Sequence, residues 1–261
     1  MKKSALIKYV IPRPSKWIPA LKILLGAFFR HDIMFFNSDG ISLECGAGKG
    51  RGVWCALSGL DYEPELLHFL RNLELGNVVF DIGANIGTYA IRSAITVGHE
   101  GHVYAFEPLR QNEEMLRHSI LRNNITNITV IKRAVGEETG EILISTGGRC
   151  SSASILHKVD ESSQKVSITS IDDFVRDSQI PKLDWVKMDI EGAEPSALRG
   201  MLQTIKKFRP CFLFENHEGG PDSCRILQSL DYSIGCFNAN GQFVESKLGS
   251  NLFAFPKTRK P

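Results

Sequence analysis

The 261-residue sequence has no C-x-x-C pair, no H-E-x-x-H run and no finger-like cysteine spacing, so none of the familiar patterns for a bound zinc is present. Its six cysteines are scattered at 45, 55, 150, 211, 224 and 236. That scatter fits a reduced, cytoplasmic protein in which cysteine acts as a small buried hydrophobe. Cys45 and Cys55 alone have a spacing that allows pairing across a hairpin. Repeats and low-complexity tracts are also missing, and disorder is not indicated. No apolar run reaches the ~20 residues of a membrane span, since the nearest, WIPALKILLGAFF, is shorter and carries Lys22. A signal peptide is unconvincing as well, because Pro12, Pro14 and Pro19 break the approach to that run and no small-residue cleavage site follows it.

Acidic residues are absent from positions 1 to 31, which hold Lys2, Lys3, Lys8, Arg13, Lys16, Lys22 and Arg30. Against a formal total of +2, those seven cations leave the rest of the chain acidic by five charges. A mildly acidic body argues against a nucleic-acid partner. Within the head, Ile18, Leu21, Leu25 and Phe28 recur at helical spacing. Such a face packs on the protein's own core or lies on anionic lipid as a peripheral membrane contact. The first use is the commoner one.

The cluster CGAGKGRG at 45–52 lacks the phosphate-loop spacing, because Lys49 is followed by Gly50. It reads as a hairpin connection between ISLEC and VWCALSG. From Tyr62 the pattern becomes regular. PELLHFLRNL is a helix, VVFDI a strand, Thr88–Val97 a helix, HVYAFE a strand, Asn112–Arg122 a helix and ITVIKRAV a strand. This order implies a parallel sheet with helices on its faces. EILIST and KVSITS alternate with period two around a Gly/Ser-rich loop, as a small antiparallel insertion does. The alternation resumes with helix IDDFVRD, strand DWVKMDI, helix PSALRGMLQTIKKF, strand PCFLFENH, helix DSCRILQSL and closing strands YSIGCFN and NLFAFP. The expected division is a basic extension with an amphipathic helix and hairpin over 1–61, a main α/β domain over 62–256 with its β insertion near 140–170, and a basic tail over 257–261.

The turn after VVF is D-I-G-A-N-I-G, so the middle glycine of the dinucleotide fingerprint G-x-G-x-x-G is missing. That glycine lets a backbone approach a pyrophosphate at a helix N-terminus. A ligand with an amino-acid tail and a sulfonium instead needs carbonyls and a carboxylate, and Asp81 supplies one just before Gly83. Gly83 and Gly87 supply the tight turn. Glu107 closes the next strand, twenty residues beyond Gly87, where a carboxylate suits the two hydroxyls of a ribose. This pattern accommodates adenosine from either NAD or S-adenosylmethionine. An evident Tyr-x-x-x-Lys pair, which would favour an NAD-dependent oxidoreductase, is absent. A non-catalytic Rossmann-like binding protein is the remaining alternative.

FDIGANIGTYA, FEP, Asn123 in LRNN, RAVG at 133–136, ITSIDDF at 168–174, VKMDIEGAE at 186–194 and RPCFLFENH at 209–217 together resemble the FkbM-type family of S-adenosylmethionine-dependent methyltransferases. The resemblance runs from about Tyr62 to Pro256, and its most specific part is the K-x-D-x-E-G-A-E block. It implies a Rossmann-like class I methyltransferase sheet of seven mostly parallel strands, with an antiparallel last strand and helices on both faces. It further implies that Asp81, Gly83, Asn85 and Gly87 hold the methionine part of the donor, that Glu107 holds the ribose and Ala134 flanks adenine, and that Asp189 lies beside the methyl pocket. Ser119 and Leu109-Arg110 depart from the residues common in that family.

On an extended chain, residues two apart share a face, which pairs Asp189 with Glu191 and Glu215 with His217. Both pairs fall at carboxyl ends of strands, the edge where open α/β sheets bind ligands. Asp189, Glu191 and His217 are therefore the candidate catalytic residues, with Asp189 or His217 as a general base for an acceptor hydroxyl. The alternative use, less favoured, is ligation of a hard cation such as Mg²⁺ that positions a diol. The expected reaction is O-methylation of a sugar, glycolipid or natural-product hydroxyl, so a small molecule or glycan is the expected partner.

Overall fold

The structure, a computed structural model, describes residues 33–38, 40–46, 63–144, 163–216, 220–238 and 240–259. The basic head 1–31, most of the glycine-rich stretch 45–52, the Ser-rich loop and His217 lie outside the described residues. In chain order the elements begin with strands β1 (Ile33–Ser38) and β2 (Ile41–Gly46), helix α1 (Pro64–Arg71), β3 (Val78–Ile82), α2 (Thr88–Val97), β4 (His102–Phe106), α3 (Arg110–Arg122) and β5 (Ile128–Ile131). Next come β6 (Ala134–Val135), β7 (Gly140–Ile144), β8 (Gln164–Thr169), α4 (Ile171–Asp177), β9 (Trp185–Met188), α5 (Glu194–Arg199), α6 (Leu202–Phe208) and β10 (Cys211–Glu215). The chain closes with α7 (Gly220–Ser229), β11 (Tyr232–Phe237), β12 (Phe243–Glu245) and β13 (Asn251–Pro256).

The main sheet runs β12-β11-β13-β10-β9-β3-β4-β5. β10, β9, β3, β4 and β5 are mutually parallel, and β13 inserts antiparallel between β10 and β11. The expected parallel sheet with an antiparallel last strand is present, but it has eight strands rather than seven. The addition is β12, which pairs only at Gly235–Phe237 of β11 and extends the edge by a short hairpin. Strand order reverses between β3 and β9, so a crevice opens at their carboxyl ends.

Both faces of the sheet are covered, and alternate strand residues feed separate cores. Phe80, Ile82, Val186, Met188, Phe212 and Phe214 pack under α4 to α7, against Phe174, Leu198, Ile205 and Leu227. Val79, Val103, Trp185 and Leu213 point the other way, onto Leu66 and Phe69 of α1 and Tyr89, Ala90 and Ala94 of α2. Cys45, Cys211 and Cys224 are buried among apolar neighbours, as expected of small hydrophobes, whereas Cys236 is half-buried and Cys55 and Cys150 lie outside the described residues. No helix among the described residues is long and apolar enough to cross a membrane.

Two local expectations are corrected. ITVIKRAV is not one strand, because Lys132 and Arg133 leave the main sheet and Ala134-Val135 join β8 and β7 in a separate three-stranded sheet. The helix expected through 195–208 breaks at Gly200-Met201, where Gly200 sits so close to the Gly136 carbonyl that a Cβ would lie 2.1 Å from it. ISLEC pairs with the preceding strand β1, the chain reversing over Gly40 at φ 77, while VWCALSG lies outside the described residues. The resulting hairpin is clamped to α3. Asn123 accepts from Ser42 N–H at 2.9 Å and donates to its carbonyl at 2.7 Å, and the Ser119 hydroxyl accepts from Glu44 N–H at 2.8 Å. Beneath these bonds Leu43 and Cys45 pack with Ile86, Ile91 and Met115, so the hairpin presses on the glycine turn.

Candidate functional site

Asp81 is the fourth residue of β3, and in register it lies opposite Lys187 of β9. Both share the α1/α2 face with Val79 and Trp185. Asp81 is 1% exposed and neither of its carboxylate oxygens has a hydrogen bond of good geometry; the Lys187 ammonium, 3.4 Å from Oδ1, and the Ala90 N–H of α2 face it. An ionised carboxylate with so little satisfaction costs several kcal/mol to bury. Burial pushes its pKa up, and Lys187 offsets part of that rise.

Lys187 is itself buried, donates to the Gly83 carbonyl at 3.1 Å and lies 3.7 Å from Asp189 Oδ2. Its ammonium sits 5.0 Å from the centre of the Tyr89 ring. Burial alone would lower its pKa; Asp81, Asp189 and Glu63 outweigh that and hold it above the ordinary lysine value. Behind the ring, the Tyr89 hydroxyl donates to Glu63 Oε2 at 2.7 Å. Burial raises Glu63, with the Tyr89 hydrogen bond pulling the other way.

The turn between β3 and α2 needs its glycines for space as well as dihedrals. Gly83 has φ 83, and a Cβ there would lie 2.0 Å from the Asp189 carbonyl oxygen. Gly87 has φ 97, and a Cβ would meet Leu116 at 2.5 Å. Asn85 also takes a left-handed conformation, φ 52, which asparagine tolerates. Its N–H donates to Glu107 Oε2 at 2.9 Å, and Leu109 N–H donates to Oε1 at 2.9 Å. Asn112 adds a bond to Oε1 at 3.3 Å. Glu107 is 5% exposed, and burial raises its pKa to about 7 despite these donors. One carboxylate thus ties the glycine turn to the loop after β4.

Across the crevice, β9 ends at Met188 and the chain turns through Glu191 at φ 54 and Gly192 at φ 96. The extended-chain pairing of Asp189 with Glu191 is corrected accordingly: the backbone has already left the strand. Asp189 is held instead by its N–H on the Ile82 carbonyl, and its side chain is 37% exposed, open to a ligand. Glu215, at the end of β10, hydrogen-bonds Asp189. Burial, followed by repulsion from Asp189, Glu191 and Glu194, holds Glu215 well above the ordinary carboxylate range. Glu194 is 1% exposed and accepts from Ile190 N–H at 2.8 Å, bracing the same turn.

Asp81, Gly83, Asn85, Gly87, Glu107 and Asp189 therefore meet at one sheet edge. Ala134 is buried in β6, in the smaller sheet, three residues after the end of β5 whose Ile131 carbonyl accepts from Glu107 N–H. His217 lies outside the described residues. Sequence reasoning offers Lys187 only as a counter-charge on the face of Asp189, with no assigned role, and misses Glu63 and Tyr89 entirely. Strand parity with Asp189 was the signal for Lys187; nothing in the order of residues announces that Glu63 reaches Tyr89. Among the described residues no group of His, Cys, Asp and Glu has the arrangement of a metal site.

Known proteins resemble this chain in sequence and in fold. Residues 81–234, more than half of the chain, match the methyltransferase FkbM domain. The hexuronic acid methyltransferase AglP of Haloferax volcanii is 29% identical over 180 residues, covering 67% of this chain and 72% of AglP. The crystal structure of the methyltransferase FkbM from Methylobacillus flagellatus KT superposes with a TM-score of 0.53 at 20% identity, covering 92% of this chain. This chain spans 59% of that protein, less than two thirds of its length. A parallel sheet with its crevice between β3 and β9, a buried aspartate at the glycine turn and a domain match across both strands lead to one assignment: the chain belongs to the FkbM family of methyltransferases.

Proposed function

We propose that this protein transfers a methyl group from S-adenosylmethionine to an oxygen of a sugar-like acceptor. The observation that carries this is Asp81, a buried carboxylate without a hydrogen bond of good geometry beside the glycine turn. A cationic amino-acid tail is the ligand that repays its burial. When bound, S-adenosylmethionine supplies an electrophilic methyl group on a positively charged sulfur.

In this reading Asp81 receives the donor's ammonium, and the turn at Gly83 and Gly87 receives the rest of the amino-acid part. Glu107 spends both lone pairs of Oε1 on Leu109 and Asn112 and one of Oε2 on Asn85, leaving the other on Oε2 for a ribose hydroxyl. Ala134 flanks the adenine. Asp189, exposed at the crevice, takes the acceptor's proton as its oxygen bonds to the methyl carbon and the carbon–sulfur bond breaks. Alignment of the two reactants and exclusion of water supply most of the acceleration. A sugar acceptor is supported by AglP, whose name records a hexuronic acid as its substrate. Within the same proposal, His217 is a second candidate base.

Calorimetric titration with S-adenosylhomocysteine and with NAD tests the donor. The expected result is saturable binding of the first and none of the second. Tight NAD binding without S-adenosylhomocysteine binding would refute the proposal.

A further inference from the structure

We infer that Lys187 is a positioning residue whose task is to keep Asp81 ionised as the receiver of the donor's ammonium, with Tyr89 and Glu63 forming the wall that holds Lys187 in place. This rests on the donor assignment above and adds a role to the lysine of the VKMDIEGAE block. The geometry is specific. Lys187 lies opposite Asp81 in the β3–β9 register, pairs with it at 3.4 Å and anchors the Gly83 carbonyl at 3.1 Å. It cannot reach out as a surface lysine does, since its side chain is 8% exposed.

The charged and titratable groups that face it are Asp81 from β3, Asp189 from the end of its own strand, Glu63 from ahead of α1, Tyr89 from α2, and more remotely Glu107 from the end of β4. Among these, Asp81 depends on Lys187 most. It is the fully buried acid without hydrogen bonds of good geometry, and desolvation already pushes it toward its neutral form. Removing the ammonium leaves that push opposed by the Ala90 N–H alone, so the carboxyl takes up a proton and no longer attracts a cationic tail. Glu63 and Tyr89 act one step behind, because their hydrogen bond fixes the ring over which the ammonium sits.

The sign of the effect gives the test. When ligand binding requires an ionised Asp81 that is protonated in the free protein, each binding event releases one proton. Affinity then rises with pH, by up to about tenfold per pH unit, until Asp81 is ionised without help. Binding of S-adenosylhomocysteine to wild type, K187M and K187R is measured by calorimetry from about pH 6 to about pH 9. 5′-Methylthioadenosine, which shares the nucleoside thioether and lacks the amino-acid tail, is titrated in parallel. K187M is expected to bind S-adenosylhomocysteine at least about tenfold more weakly than wild type at neutral pH, to recover as pH rises, and to bind 5′-methylthioadenosine as wild type does. K187R, which keeps the charge, is expected to restore most of the affinity. Equal losses for both ligands, or a K187M affinity that does not change with pH, would overturn the positioning role. Wild type that binds neither ligand would refute the donor assignment and this inference with it. Wild type that binds alongside an indistinguishable K187M refutes the inference alone.

Discussion

Glu107→Gln separates what the folded protein needs from what its ligand needs. Glu107 is 5% exposed, and burial raises its carboxyl from 4.5 to about 7 although three donors approach it. In the unfolded chain it ionises near the ordinary value. Its contribution to stability is therefore fully present below about pH 4.5, declines as the unfolded chain ionises first, and is lost once pH passes about 7. At about 1.4 kcal/mol per pH unit, the lost contribution is about 3 kcal/mol. Glutamine has no such ionisation. Whatever fixed offset the substitution brings, the stability of E107Q relative to wild type is expected to improve by about 3 kcal/mol between about pH 4 and about pH 8. Urea unfolding of both proteins across that range measures the difference, with the fixed offset appearing as its value at low pH. The same variant is expected to bind S-adenosylhomocysteine at least about tenfold more weakly at neutral pH, because an amide nitrogen in the place of Oε2 cannot accept from a ribose hydroxyl. A stability difference that stays level with pH would show that the buried carboxyl ionises as freely as an exposed one, and would refute the desolvation argument.

Further outcomes follow from single contacts. Gly83→Ala places a Cβ 2.0 Å from the Asp189 carbonyl at a positive φ, so the turn and the β9 end must separate by about 1 Å; donor affinity measured by calorimetry is expected to fall about 100-fold. Wild-type affinity would show that the two loops do not meet as described. Asn123→Ala strands the Ser42 N–H and carbonyl, and chemical unfolding is expected to show a loss of about 1 to 3 kcal/mol; a change under about 0.5 kcal/mol would mean that the hairpin is not clamped there. Asp189→Asn is expected to lower turnover about 100-fold or more, with a smaller effect on S-adenosylhomocysteine affinity. Turnover close to wild type would remove Asp189 from the base role.

Much of the framework could be read from local pattern, because buried parallel strands announce themselves as apolar runs and their helices as 3.6-residue periods. VVFDI, HVYAF and CFLFE became β3, β4 and β10, with Asp81 at the carboxyl end as expected. Failures came where tertiary contacts decide. Gly200 breaks a helical pattern only because Gly136 packs against it, and the turn at Glu191 overrides the parity that would pair it with Asp189. The site was half legible for the same reason. Asp81 and Glu107 sit at strand ends that sequence locates, whereas the wall of Tyr89 and Glu63 depends on how α1 lies over the sheet. No short-range signal records that packing.

The central claim is methyl transfer at the β3–β9 crevice. It is tested most directly by incubating the protein with S-adenosylmethionine carrying an isotopically labelled methyl group and a panel of glycans and glycolipids, then following the label by mass spectrometry. Labelled methyl on a sugar oxygen with wild type, and its loss in Asp81→Ala, is the expected result. A protein that binds S-adenosylhomocysteine yet labels no acceptor, or one that labels equally well without Asp81, would contradict it.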